Sequence, residues 1–311
     1  MAFKDKMILK DRKKMIIPDI PKGYKSHPFS VDDYYKMPEN LSGILEKNGV
    51  DPGDYDGTFI VPPQAYLKRW FGKRYVPWKA LLFDHREIIH VSDTLIVDES
   101  GSIRKIYVDD LLYIKIHLCL LYGKLDIISA KKEALDKVSI EYNTVGHKLL
   151  EPQLEKFLRF GWTKSPWTID KPDVYDRLKK IPVKYRNGVS IYVLHKGERL
   201  QDFLFMPRLV KKIGFIKMNI LPDILIAITD RQLVILEDDL SPTSAYTWLL
   251  TYIPLSNFSG IKIKRSNGFT DLTIKAEKSK TSQDISIRIE DKYTDEVKVF
   301  LSQIDQHFRR H

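Results

Sequence analysis

The chain has 311 residues, with 51 Lys and Arg against 41 Asp and Glu and a formal charge of +10. At roughly 100–200 residues per domain this length fits two domains, and a content of 43% hydrophobic and 30% charged residues excludes wholesale disorder. The single cysteine, Cys119, excludes a disulfide framework and any multi-cysteine metal or iron–sulfur site, while the basic balance favours acidic partners.

Residues 1–60 read as a loop-rich arm with one helix around Leu41–Asn48. The opening stretch scatters basic residues through its apolar ones, so it does not fit a secretory signal. No run approaches the ~18 uninterrupted apolar residues of a spanning helix. A soluble, cytoplasmic protein without a transmembrane segment is expected. Phe3, Met7 and Met15 suit one side of a basic amphipathic helix ended by Pro18, although a solvated tail docked on the body explains them more simply. Asp54-x-Asp56-Gly57 has the look of a calcium loop. Pro52 and Pro63 occupy the positions of its first carboxylate and closing Glu, so a plain turn is expected.

Next comes Tyr66-Leu-Lys-Arg-Trp-Phe-Gly-Lys-Arg-Tyr75, followed by Trp78-Lys79. Lys68, Arg69, Lys73 and Arg74 are suited to phosphate, and Trp70 and Phe71 to stacking on bases or dipping into a headgroup layer. The competing reading is an amphipathic helix, aromatics inward, capping the first domain.

From there the chain repeats. An offset of 147 residues places Ile106 on Ile253, Ile114-Lys-Ile116 on Ile261-Lys-Ile263, Leu125 on Leu272, Val138-Ser-Ile140 on Ile285-Ser-Ile287 and Leu154 on Leu301. Within each copy the alternation predicts strands at 103–108, 114–116, 125–127 and 138–142 and at their counterparts, with Gly123 and Asn267-Gly268 as turn signals. The period then changes to that of an amphipathic helix through Leu150, Leu154 and Phe157, and through Val297, Phe300 and Leu301. Upstream, Ala80–Val91 and Ile226–Leu236 each read as a tight hairpin turning at Asp84 and Asp230.

The run Ile226-Ala-Ile-Thr-Asp-Arg-Gln-Leu-Val-Ile-Leu with Tyr252-Ile-Pro-Leu-Ser-Asn-Phe resembles the core of bacterial pleckstrin-homology (PH) and GRAM-like domains. The resemblance covers about residues 190–308 and, through the repeat, 78–160. It departs at Phe83-Asp84-His85-Arg86, where the family prefers Thr-Asp, and at Phe258, which replaces an aliphatic residue. It implies a mainly β (α+β) fold of two antiparallel β-barrels, each closed by a C-terminal amphipathic helix. The expected organisation is an arm (1–60), a first PH-like domain (61–161), a linker (162–187) and a second PH-like domain (188–311). The linker holds Trp162, Trp167 and a short helix-like stretch at Val174–Lys180.

The excess charge is uneven: 14 basic and 10 acidic residues in 1–75, 12 and 13 in 76–161, 7 and 3 in 162–187, and 18 and 15 in 188–311. A second basic group, Lys211, Lys212 and Lys217, flanks Ile213-Gly-Phe-Ile216. A third, Lys262, Lys264 and Arg265, follows strand alternation, which turns Lys262 and Lys264 outward. No nucleophile elbow, zincin motif, P-loop or dinucleotide fingerprint occurs. His117 and Cys119 share a strand face but lack a third ligand nearby in sequence, and a thiol there reads as a small hydrophobe. The expectation is therefore a non-catalytic binding scaffold without cofactor or metal. Its partner is an anionic lipid surface at the inner membrane face or another protein, met through a sheet edge or barrel mouth. Nucleic-acid binding through 66–79 is the alternative.

Overall fold

The computed structural model describes residues 27–31, 37–67, 73–95, 99–131, 134–161, 173–213, 215–238, 240 and 247–308. Of these, 51% are in strands and 26% in helices. All of the described strand pairings are antiparallel. Two compact units emerge: one holds the described residues up to Asp84 with Ile88–Lys105, the other His85–Glu87 with everything from Ile106 onward. The division falls inside the first repeat.

The first unit holds α1 (Glu39–Lys47), β1 (Gly57–Val61), β2 (Gln64–Leu67), β3 (Lys73–Val76), β4 (Lys79–Phe83) and the greater part of β5 (Glu87–Ser92) and β6 (Ser102–Tyr107). Leu41, Ile44 and Leu45 recur at helical spacing on α1 and pack with Ile60, Ala80, Leu82, Ile89 and Val91 of the sheet β1-β4-β5-β6. β1 lies where sequence reasoning placed the end of the arm. Its Thr58 hydroxyl ties the preceding segment down, accepting from the Val31 N–H at 2.8 Å and donating to the Val31 carbonyl at 2.7 Å. β2 and β3 form a separate hairpin between β1 and β4 in the chain.

The second unit contains β7 (Leu111–Cys119), β8 (Tyr122–Lys131), β9 (Ala134–Tyr142), α2 (His147–Gly161), α3 (Val174–Leu178), α4 (Val183–Gly188) and a π-helical turn (Val189–Val193). Then follow β10 (Leu200–Met206), β11 (Leu209–Ile213), β12 (Ile216–Leu221), β13 (Ile224–Thr229), β14 (Gln232–Glu237) and β15 (Thr247–Pro254). The last elements are β16 (Phe258–Ser266), β17 (Phe269–Lys278), β18 (Thr281–Glu290) and α5 (Thr294–Phe308).

The duplication is visible element by element. Shifted by 147 residues, β7 falls on β16, β8 on β17 and α2 on α5, bounds included, and β9 starts on the first residue of β18. The order β1, hairpin, β4, β5, β6 recurs as β10, hairpin, β13, β14, β15, and the two four-strand orders agree. One turn differs. The β16–β17 turn uses Asn267 and Gly268, both at positive φ, as a two-residue hairpin favours; the β7–β8 turn has Leu120 at φ 35° and Leu121. Gly123, expected at that turn, lies within β8.

The two copies are interlocked. β15 pairs with β7, so one seven-stranded sheet runs β10-β13-β14-β15-β7-β8-β9, beside a three-stranded sheet β16-β17-β18. Both are open, and no closed barrel is found among the described residues, contrary to the expectation of two. The reason is the partner chosen by β7. Its Ile114, Ile116 and Leu118 lie opposite Tyr252, Leu250 and Trp248 of the other repeat, apolar against apolar.

β13, β14 and β15 are buried on both faces, as their near-continuous apolar runs require. On one face Ile226, Ile228, Leu233, Ile235 and Ile253 pack with Leu272, Ile274, Ile285 and Ile287 of the small sheet and with Val297 and Phe300 of α5. On the other lie α4 and the π turn. The Tyr185 ring meets Trp248 edge-on at 5.2 Å, the Tyr252 hydroxyl donates to the Tyr192 carbonyl at 3.0 Å, and Gly188 lies so close that a Cβ would come 3.0 Å from Leu236. Trp162 and Trp167 lie outside the described residues.

Candidate functional site

The basic groups singled out in the sequence acquire a common logic from the fold. Lys68, Arg69, Trp70 and Phe71 lie outside the described residues, but they connect β2 to β3, and Lys73 and Arg74 open β3. On either side of them β2 and β3 are paired strands, so the helix reading fails for the described residues 66, 67 and 73–76. Tyr66 pairs with Arg74 and Leu67 with Lys73, a ladder that consumes the backbone groups a helix would need. The second group sits at the same place in the other copy. Lys211 and Lys212 are on β11 and Lys217 on β12, with Lys212 opposite Lys217 in register. Each repeat therefore carries a basic hairpin between its first and second sheet strands.

The root of the β11–β12 hairpin is stapled. Arg208 precedes β11 and Asp223 follows β12; the Arg208 backbone N–H reaches Asp223 Oδ1 at 2.9 Å and its Nε reaches Oδ2 at 2.7 Å. Arg208 Nη2 also reaches Asp238 Oδ2 at 2.8 Å, and Lys184 of α4 lies 2.8 Å from Asp238 Oδ1. Both carboxylates are buried, and the Asp223 contact raises the guanidinium pKa further. A cleft of ≈ 490 Å³ opens beside this root, lined by Ile220, Leu221, Glu237, Leu249 and Ser286 among others. Burial there pushes Glu237 up to about 7, against the pull of Lys115.

Toward its tip the hairpin is solvent-facing. Lys211 and Lys212 are exposed, Val210 and Met218 nearly half so, and Phe215 is fully exposed. Val210, Phe215 and Met218 thus put apolar surface beside the lysines of the same hairpin. The Lys211 ammonium lies 5.9 Å from the centre of the Phe269 ring, and the Arg288 guanidinium 6.0 Å from the same ring. Arg288 grips Asp271 at 2.6 and 3.2 Å, which holds that carboxyl below its ordinary range. Phe269 is the register partner of Ser266 on β16, so the ring that Lys211 meets lies at the turn end of the small sheet. Lys262 and Lys264 are exposed on the outer face of the small sheet, as alternation predicts, while Arg265 turns to Asp295 at 3.2 Å.

Phe215, Phe269, Arg208 and Arg288 did not figure among the sequence candidates. Phe215 was within reach, because it interrupts a lysine-flanked hairpin tip. The Phe269 contacts join residues 58 and 19 positions apart and have no local signal. No protein-family model matches the chain, and no curated protein is found similar to it. Among the described residues no helix is long and apolar enough to cross a membrane.

Proposed function

We propose that this protein is a non-catalytic scaffold of two PH-like copies that works from the cytoplasm on an anionic membrane surface. The carrying observation is the β11–β12 hairpin, whose fully exposed Phe215 sits at a tip flanked by exposed Lys211 and Lys212. Lysines near a bilayer gain about 1 kcal/mol each from anionic lipid, and an inserted aromatic ring adds apolar burial. The PH-like reading is supported by each copy's order of four strands around a hairpin, three strands and a terminal helix. The root staple fits it too, since it presents the tip without a folding cost at binding.

Co-sedimentation of the full chain with vesicles tests this. Vesicles of phosphatidylcholine containing phosphatidylserine should retain the protein, and pure phosphatidylcholine should not. Lys211→Glu with Lys212→Glu should weaken binding about tenfold or more, and Phe215→Ser should weaken it at all salt concentrations. Absence of anionic preference at low salt overturns the reading. Salt-steep binding to a random oligonucleotide, lost on Lys68, Arg69, Lys73 and Arg74→Ala, would instead favour nucleic acid.

A further inference from the structure

The duplication supplies an internal comparison for β16. In the first copy β7 has β8 on one side and β15 on the other, with register pairs from Ile114↔Tyr252 to Cys119↔Thr247. Shifted by 147 residues, that stretch of β7 is Ile261–Ser266 of β16. β16 pairs with β17, and among the described residues no strand pairs with its other edge. Along that edge runs a groove of ≈ 390 Å³, lined by Phe258–Ile263 of β16 and by Lys298, Leu301 and Ser302 of α5. The counterparts of those helix residues in α2 are Glu151, Leu154 and Glu155.

The comparison also says what the edge takes. Tyr252 and Leu250 of β15 oppose Ile114 and Ile116 and share their face. In the second copy Ile261 and Ile263 hold those positions, only half-buried, and among the described residues no strand lies beside them on the edge away from β17. The alternate positions on β7, Lys115 and His117, oppose Thr251 and Leu249. On β16 they are Lys262 and Lys264, both exposed, and among the described residues neither is in an ion pair.

We propose that β16 accepts an extended segment of a protein partner as an added antiparallel strand. Its apolar residues face Ile261 and Ile263, and Asp or Glu residues alternating with them face Lys262 and Lys264. Backbone pairing supplies the affinity, and the alternation supplies the choice of sequence. A second copy of this chain is a poorer occupant. Its counterpart of β15 is β6, and the same offset sets Arg104 opposite Lys262, like charge against like. The site is independent of the hairpin and does not rest on the membrane reading.

Titration of the full chain with a capped hexapeptide of alternating valine and glutamate tests this, read by fluorescence anisotropy and by hydrogen exchange. The peptide should bind and slow exchange of amides within Ile261–Ser266. A valine–lysine hexapeptide and an N-methylated valine–glutamate hexapeptide should do neither. Lys262→Glu with Lys264→Glu, both on the exposed face, should weaken binding about tenfold. Phe215→Ser should leave it unchanged, which separates this site from the bilayer one. Equal binding of the lysine peptide, or binding without protection of β16, overturns the proposal. So does concentration-dependent self-association that protects the same amides without peptide, because the edge then belongs to a second copy.

Discussion

Gly123 lies beneath the ring of Tyr142, so a Cβ added there would sit 2.6 Å from two ring atoms. The tyrosine cannot easily give way: it is fully buried, and its hydroxyl lies 2.9 Å from His147 Nδ1. Gly123→Ala should therefore lower stability by about 1–3 kcal/mol in urea unfolding. At the corresponding positions of the other copy stand Thr270 and Ile289, so adding Tyr142→Ile to Gly123→Ala should recover part of the loss. A second residue-scale expectation concerns Glu237. Its folded pKa of about 7 exceeds its ordinary 4.5, so the folded state holds the proton more tightly. Its contribution to stability is complete below pH 4.5 and is lost as pH rises through 7. Glu237→Gln should therefore be more stable than the native chain at pH 8, by up to about 3 kcal/mol, with the difference closing near pH 4.5 in paired thermal melts. His90 has the opposite sense: burial pushes it down to about 3, and the stability it lends is lost as pH falls below 6.5. Neither Gly123 nor Glu237 was legible in the sequence. A glycine between polar residues reads as a turn, and a strand-end glutamate reads as solvent-facing, until the fold places a tyrosine or a second sheet over them.

At the scale of elements the sequence was a better guide where a period could be counted. The amphipathic helices α2 and α5, the hairpins β4–β5 and β13–β14 and the strands β7 to β9 lie where their alternation predicts. The hairpin β2–β3 was misread because four aromatics and four cations in ten residues satisfy helical spacing as well as strand spacing, and composition does not decide between them. The staple at the root of β11–β12 could not be read at all, since Arg208 and Asp223 meet only after the hairpin closes. That staple leads to an expectation of its own. Arg208→Ala leaves Asp223 and Asp238 with one cation fewer, and, because the guanidinium is partly in water, should destabilise the protein by about 1–2 kcal/mol. Arg208→Lys should recover only part, because a single ammonium does not reproduce the forked contact. Urea titration gives the energy, and exchange rates of the β11–β12 amides should rise in the same variants.

For the whole molecule, the repeat was legible as a periodicity, whereas its interlocking was not. A sequence offset shows that two segments share a pattern, and is silent on which copy each strand pairs with. The pairing of β15 with β7 makes the second repeat incomplete without the first. A fragment of residues 188–311 would turn β15 into an edge strand, with Trp248, Leu250 and Tyr252 along its open side. It should be insoluble or self-associated in sedimentation, whereas a fragment of residues 106–311 keeps both strands and should remain monomeric. The same pairing bears on how the chain is made. β7 leaves the ribosome about 130 residues before β15, a delay of roughly ten seconds at ordinary elongation rates. Through that interval a nascent chain carries Ile114, Ile116 and Leu118 on an open edge. Holding that edge is work for a chaperone, and slowing translation through residues 120–246 should lower the yield of native protein.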